Sequence, residues 1–150
     1  MSSWAFQFNP VIGPVTSVVV VNVSPDGSLV PPDDGQGDVH MFEGLFDTGA
    51  STTCISARVI NDVGLNPTGK TDMVGATGRK TVNEYFFGLG FVVGEAPQAT
   101  GFMSSKVEWT PVRGSFFDGS GSGFDVLIGR DILCQGVFTM SFDGHVTFSR

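Results

Sequence analysis

The six residues Phe46-Asp47-Thr48-Gly49-Ala50-Ser51 constrain this chain more than any other stretch, because they set one carboxylate between an apolar strand and a tight turn of small residues. The run Val39 to Phe46 delivers the acid, and Ile55 continues the path beyond the turn. A pair of carboxylates in contact, one ionised and one protonated, supplies a base and an acid together, and like charges about 3 Å apart resolve by sharing one proton. The chain carries a single turn of this kind, and its 150 residues are too few for two lobes that would each bring an aspartate. For such a pair, the second carboxylate is expected from a second copy of the chain, with a symmetric dimer as the functional unit.

The remaining sequence reads as strands cut by turn signals. Alternation in Trp4-Ala5-Phe6-Gln7-Phe8 puts the aromatics on one face, and Pro10 and Pro14 break that strand. Thr16 to Val23 is a β-branched run ending at Ser24-Pro25-Asp26-Gly27, where Pro presets φ and Gly is available for positive φ. Pro31 to Asp38 has no apolar period and reads as a mobile polar loop. Ser56 to Gly64 predicts a short helix, with Ser56 as cap, Val59, Ile60 and Val63 on one face and Gly64 as terminator. Asp72 to Phe87 predicts a hairpin around Gly75-Ala76-Thr77-Gly78, followed by strands at Leu89 to Val93 and Lys106 to Trp109. Gly114 to Gly123 reads as a second flexible loop. Phe138 to Phe142 and His145 to Phe148 form a closing hairpin through Asp143-Gly144. With 41% hydrophobic and 15% charged residues, 21 glycines and 14 phenylalanines, one compact domain over residues 1–150 is expected, residues 1–40 supplying N-terminal strands and a loop extension.

A second motif lies downstream, where Asp125-Val126-Leu127-Ile128-Gly129-Arg130-Asp131-Ile132-Leu133 runs from an apolar strand through a glycine into a short helix. The order and spacing of the two motifs resemble the retropepsin-like aspartic proteases, the single-domain class that includes retroviral proteases. The resemblance covers about Met41 to Arg150. It implies an all-β, retropepsin-like acid-protease barrel with one or two short helices and a flap hairpin. It also implies an aspartic endopeptidase, a homodimer whose two copies of Asp47 activate one water against a peptide bond.

By the same resemblance, Thr48 hydrogen-bonds across the two-fold axis, Gly49 lets the substrate backbone approach, and Ser51, after Ala50, anchors the loop. Met73 to Lys80 corresponds to the flap. Its residues Val74, Gly75, Ala76, Thr77 and Gly78 bind an extended polypeptide as an added strand and exclude water. Leu127, Ile128 and Gly129 run behind the site, while Arg130 and Asp131 open the short helix, Asp131 as a cap favoured by the dipole. Related proteases pair the arginine with an acid just after the alanine. Ser51 occupies that position here, so Arg130 has no assigned partner. Ala50 stands where many two-lobed enzymes carry Ser, and the missing hydroxyl donor places the expected activity maximum in mildly rather than strongly acidic buffer. The subsites beside the dyad are expected to be apolar.

Other function classes find no footing. A formal charge of −7 and a pI near 4.5 argue against nucleic acid, because phosphate binding needs clustered Lys and Arg. No Lys or Arg precedes Arg58, so the start lacks the basic region of a secretory signal, and Val18 to Val21 is too short to span a bilayer. A cytoplasmic protein with no membrane partner is the expectation. Cys54 and Cys134 read as buried free thiols rather than a disulfide, and His40 and His145 are too few and too separated for a metal set. No metal and no cofactor are expected. Trp4 and Trp109 read as structural. Asp118, in Phe116-Phe117-Asp118-Gly119-Ser120, imitates the acidic turn but lacks the Thr-Gly pair and precedes Leu127 too closely to leave room for helix and flap. The alternative readings are a non-catalytic dimerisation or peptide-binding module of the same family, and a plain β-sandwich interaction domain, which predicts a monomer.

Overall fold

A computed structural model of the chain describes residues 3–9, 11–24, 26–29, 40–97, 103–141 and 143–150. Its elements are β1 (Ser3–Gln7), β2 (Val15–Val21), β3 (Met41–Phe46), β4 (Cys54–Ile55), α1 (Ala57–Val63), β5 (Gly69–Gly75) and β6 (Gly78–Pro97). They continue with β7 (Met103–Phe116), β8 (Val126–Ile128), α2 (Arg130–Leu133), β9 (Val137–Met140) and β10 (His145–Ser149). The fold is all-β with two short helices, as the turn-punctuated sequence predicts. The polar loop Pro31 to Asp38 lies outside the described residues, as does Phe142.

The main sheet closes on itself. β2 pairs with β3, β3 with β8, β8 with β4, β4 with β7, β7 with β6, and β6 returns to β2. Closure removes the unpaired edges that an open sheet would present. β5 pairs with the near half of β6 and forms the outer arm of a hairpin. A second sheet, in the order β1-β10-β9, packs against the barrel.

Apolar residues of the barrel strands, among them Val18, Val20, Ile55, Phe87, Leu89 and Ile128, fill the interior at 1% exposure or less. Phe46 joins the two sheets. Its ring stacks on Phe6, Phe91 and Phe138, with centroids 5.6, 6.1 and 5.3 Å away, and tilts against Phe148 at 6.3 Å. Phe46→Ala is expected to cost about 3–5 kcal/mol, the range for emptying a packed aromatic site, read as a lower denaturant midpoint. A loss below about 1 kcal/mol, the scale of a single methylene, would show that this contact does not hold the second sheet.

Several local expectations give way to packing. Leu89 to Val93 and Lys106 to Trp109 are not separate short strands but parts of β6 and β7, whose ladder shifts register between Val92 and Glu95. Gly114 belongs to β7, not to a loop. Gly114 marks close packing rather than a loop, since a Cβ there would meet Phe87 at 2.7 Å; Gly90, in a strand as expected, is packed likewise, a Cβ there meeting the Trp109 ring at 2.6 Å. Ser56 occupies the N-cap position of α1 without capping it, and its hydroxyl donates to Asp125 Oδ1 at 3.0 Å instead. Gly64 ends the helix as expected, at φ 73° with its N–H on the Ile60 carbonyl.

Candidate active site

β3 leaves the barrel at Phe46, and the turn that follows is fixed by its own backbone. The Asp47 N–H donates to the Ile128 carbonyl of β8 at 2.9 Å, and the Ala50 N–H returns to the Asp47 carbonyl at 3.2 Å. The Gly49 N–H donates to Asp47 Oδ1 at 2.8 Å, so the turn itself aims the carboxylate. A Cβ on Gly49 would lie 3.1 Å from the same oxygen, which gives this glycine a steric reason. Asp47 is half-buried, while Thr48 and Gly49 are exposed beside it.

The turn is clamped from behind by the start of α2. The Arg130 N–H donates to the Ala50 carbonyl at 2.9 Å, and its guanidinium Nη1 donates to the Thr48 carbonyl at 3.2 Å. The partner missing from the sequence is thus a backbone oxygen of the acidic turn. Gly129 admits this approach, since a Cβ there would meet the Thr52 carbonyl carbon at 2.7 Å.

Asp131 is not the helix cap expected from the sequence. Gly129 holds the N-cap position, with no side-chain cap bond, and the Asp131 carboxylate reaches across to Thr53, the residue before β4. It accepts the Thr53 N–H at 3.0 Å and the Thr53 hydroxyl at 2.8 Å, together with the N–H of its neighbour Ile132 at 3.0 Å. Thr53 Oγ1 in turn accepts the Gly129 N–H at 3.2 Å. A partly buried carboxylate needs several donors, and a helix of four residues offers little dipole to supply them. The loop anchor is therefore Thr53, fully buried, rather than Ser51, which is exposed at the mouth of the cleft. No residue pattern marked Thr53; the pairing of two distant segments did.

The hairpin expected at Gly75-Ala76-Thr77-Gly78 forms between β5 and β6, with Gly75 paired to Gly78 and the turn at Ala76 and Thr77. Gly78, at φ 113°, supplies the positive φ that the turn needs. Beneath β5 lies a cleft of about 390 Å³. Gly49, Ala50, Ser51 and Thr52 form one wall, and Thr71, Asp72, Met73 and Val74 the other. A smaller hollow of about 180 Å³ opens under the hairpin tip, where Gly75, Thr77 and Gly78 face Met73, Val82 and Phe116. Ala76 lines neither.

Cys54 sits in the floor of the cleft as a neutral thiol, pushed up to about 11 by burial, with the Asp131 and Asp47 carboxylates adding to the rise. Cys134, expected to be buried, is exposed, because the buried face of α2 consists of Ile132 and Leu133. Asp118 lies on the far side of the hairpin hollow, its carboxylate held below the usual range by the Ser120 hydroxyl and N–H. His40 stacks near Phe42, and His145 pairs with Asp143 at 3.1 Å. Among the described residues no cluster of His, Cys, Asp or Glu could hold a metal ion, and no helix is long and apolar enough to cross a membrane.

The family model described as aspartyl protease matches residues 34–132, a span that holds the Asp47 turn, the hairpin and the Leu127-Ile128-Gly129 segment together. The chain belongs to the aspartyl protease family. One barrel carries one Asp-Thr-Gly turn among the described residues. Among solved structures it is similar to a retropepsin-like aspartic protease from Rickettsia conorii, at 13% identity, covering 89% of this chain and 92% of that one with a TM-score of 0.44. It is also similar to a protein of unknown function from Legionella pneumophila, at 13% identity, covering 82% and 85% of the two chains with a TM-score of 0.33. No curated protein matches the chain in sequence.

Proposed function

We propose that the protein is an aspartic endopeptidase, in which Asp47 from each subunit of a homodimer shares one proton and activates a water between them. The observation that carries this is the placement of Asp47: a half-buried carboxylate, aimed by the Gly49 N–H, at the end of the cleft wall that faces a hairpin. The ionised copy takes a proton from the water, whose oxygen attacks the scissile carbonyl, while the protonated copy donates to the carbonyl oxygen. Collapse of the tetrahedral species then breaks the C–N bond, and the leaving amine takes up a proton from the dyad. No covalent intermediate forms.

The β5–β6 hairpin acts as the flap over an extended polypeptide, with Val74 to Gly78 exposed at its end. Thr48 and Gly49, exposed in one protomer, are the part of the turn available to the second copy. A single protomer brings one such turn, so activity is expected to depend on association. Diluting the protein through its dimer dissociation range, followed by sedimentation, should lower the activity per chain in step with the dimer fraction. The activity should peak in mildly acidic buffer. Full activity in a species that sediments as a monomer at every concentration would overturn the shared dyad.

A further inference from the structure

We propose that the cleft beneath β5 selects a substrate side chain with an aliphatic stem and a cationic head, lysine or arginine, and that Glu84 and Ser115 are the residues that make the selection. The proposal rests on the peptidase reading above and names the substrate class of that same site.

The floor of the cleft is one row of directly paired residues. Leu127 on β8 is opposite Cys54 on β4, Cys54 is opposite Ser115 on β7, and Ser115 is opposite Glu84 on β6. Residues paired in register present their side chains on the same face of a sheet, and all four line the cleft. The row crosses three interstrand spacings, roughly 14 Å at about 4.8 Å each. Its polarity is graded. Leu127 and the neutral Cys54 thiol form the end nearest the Asp47 turn, whereas Ser115 and Glu84 form the end away from it. An uncharged apolar side chain would cover the first half and leave the second half facing carbon. A lysine or arginine lays its methylenes along Leu127 and Cys54 and carries its charge to Glu84.

Ser115 is an independent sign that the far end awaits a partner. Its residue is 1% exposed, and its N–H donates to the Thr53 carbonyl at 3.1 Å. Among the described residues none exchanges a hydrogen bond with its hydroxyl, although buried polar groups are almost always paired. Glu84, with 20% of its side chain exposed, has one oxygen 3.2 Å from Arg113 Nη1. The Arg113 side chain is 71% exposed, and surface pairs of this kind hold weakly, so a substrate cation can compete for the carboxylate. At the rim, Asp72 accepts the Thr81 hydroxyl at 2.7 Å and lies 3.7 Å from Arg79, adding a second negative charge above the floor. The expectation of apolar subsites beside the dyad therefore fits the Leu127 and Cys54 end of this cleft and the smaller hollow at Met73, Val82 and Phe116, while the Glu84 end departs from it.

The test is a peptide library cleaved by the intact protein, read as kcat/KM with lysine, arginine, leucine or aspartate at each position around the scissile bond. One position should favour lysine and arginine over leucine by about tenfold or more, the ratio that one charge-assisted contact produces. Glu84→Gln should remove most of that preference by lowering kcat/KM for the lysine and arginine peptides. Arg113→Ala, at an exposed side chain, should raise the preference by freeing the carboxylate. If peptides are cleaved with no basic preference at any position, or if the preference survives Glu84→Gln, the selection is overturned and the peptidase reading stands. If the dimer forms and no peptide in the library is cut, the peptidase reading itself fails.

Discussion

Asp47→Asn is expected to leave a folded chain that cleaves peptides at least about a thousandfold more slowly, within the range that a positioned acid–base group contributes. The substitution is close to isosteric. Its Oδ1 can still accept the Gly49 N–H that now holds the carboxylate at 2.8 Å, and the backbone bonds to Ile128 and from Ala50 do not involve the side chain. Stability should therefore change little, with an unchanged denaturant midpoint as the control. Chemistry should not survive, because an amide neither takes a proton from water nor returns one to the leaving amine. In a dimer both copies are lost at once. Equal cleavage by the variant and the parent would remove Asp47 from the mechanism, and cleavage by neither would favour a peptide-binding module that keeps the turn for structure.

Asp131→Ala should lower both stability and activity. It strips the acceptor from the Thr53 N–H, the Thr53 hydroxyl and the Ile132 N–H at once, and Thr53 is fully buried. Each buried donor left unmade costs about 1–3 kcal/mol, so a loss of roughly 3–5 kcal/mol is expected once solvent reaches some of them. Activity should fall beyond what unfolding explains, because Arg130, the preceding residue, holds the Thr48 and Ala50 carbonyls of the acidic turn. Asp131→Asn keeps one acceptor oxygen and should recover much of the loss. A variant with alanine at 131 that unfolds at the same denaturant concentration as the parent would show that the carboxylate does not anchor β4 to α2.

The two cases differ in how they could be foreseen. Asp47 was legible because its chemistry lies in adjacent residues: an apolar strand, an acid, a hydroxyl and a glycine whose missing Cβ leaves room for the carboxylate. The hairpin at Gly75 to Gly78 and the closing hairpin at Asp143-Gly144 were legible for the same reason, since turn geometry is a property of a few consecutive residues. Read locally, Asp131 belongs to the helix it opens, because an acid in a first turn is favoured as a cap. Its real partners stand 78 positions earlier in the chain. Gly114 likewise reads as a loop residue, whereas in the fold the Phe87 ring of the neighbouring strand fills the space beside it.

The sequence alone determined that this chain would form strands, where most of them turn, and that one acid sits at a strand end in the company of small and hydroxyl residues. Those features depend on φ preferences and on the two-residue period of a pleated chain, both of which act over a few residues. Barrel closure decided the rest: that Thr53 meets Asp131, that Arg130 reaches the Thr48 carbonyl, and that Leu127, Cys54, Ser115 and Glu84 stand abreast under β5. Such neighbours are set by register between strands far apart in sequence. Register follows from the simultaneous packing of the whole interior, a constraint that no short window of residues contains.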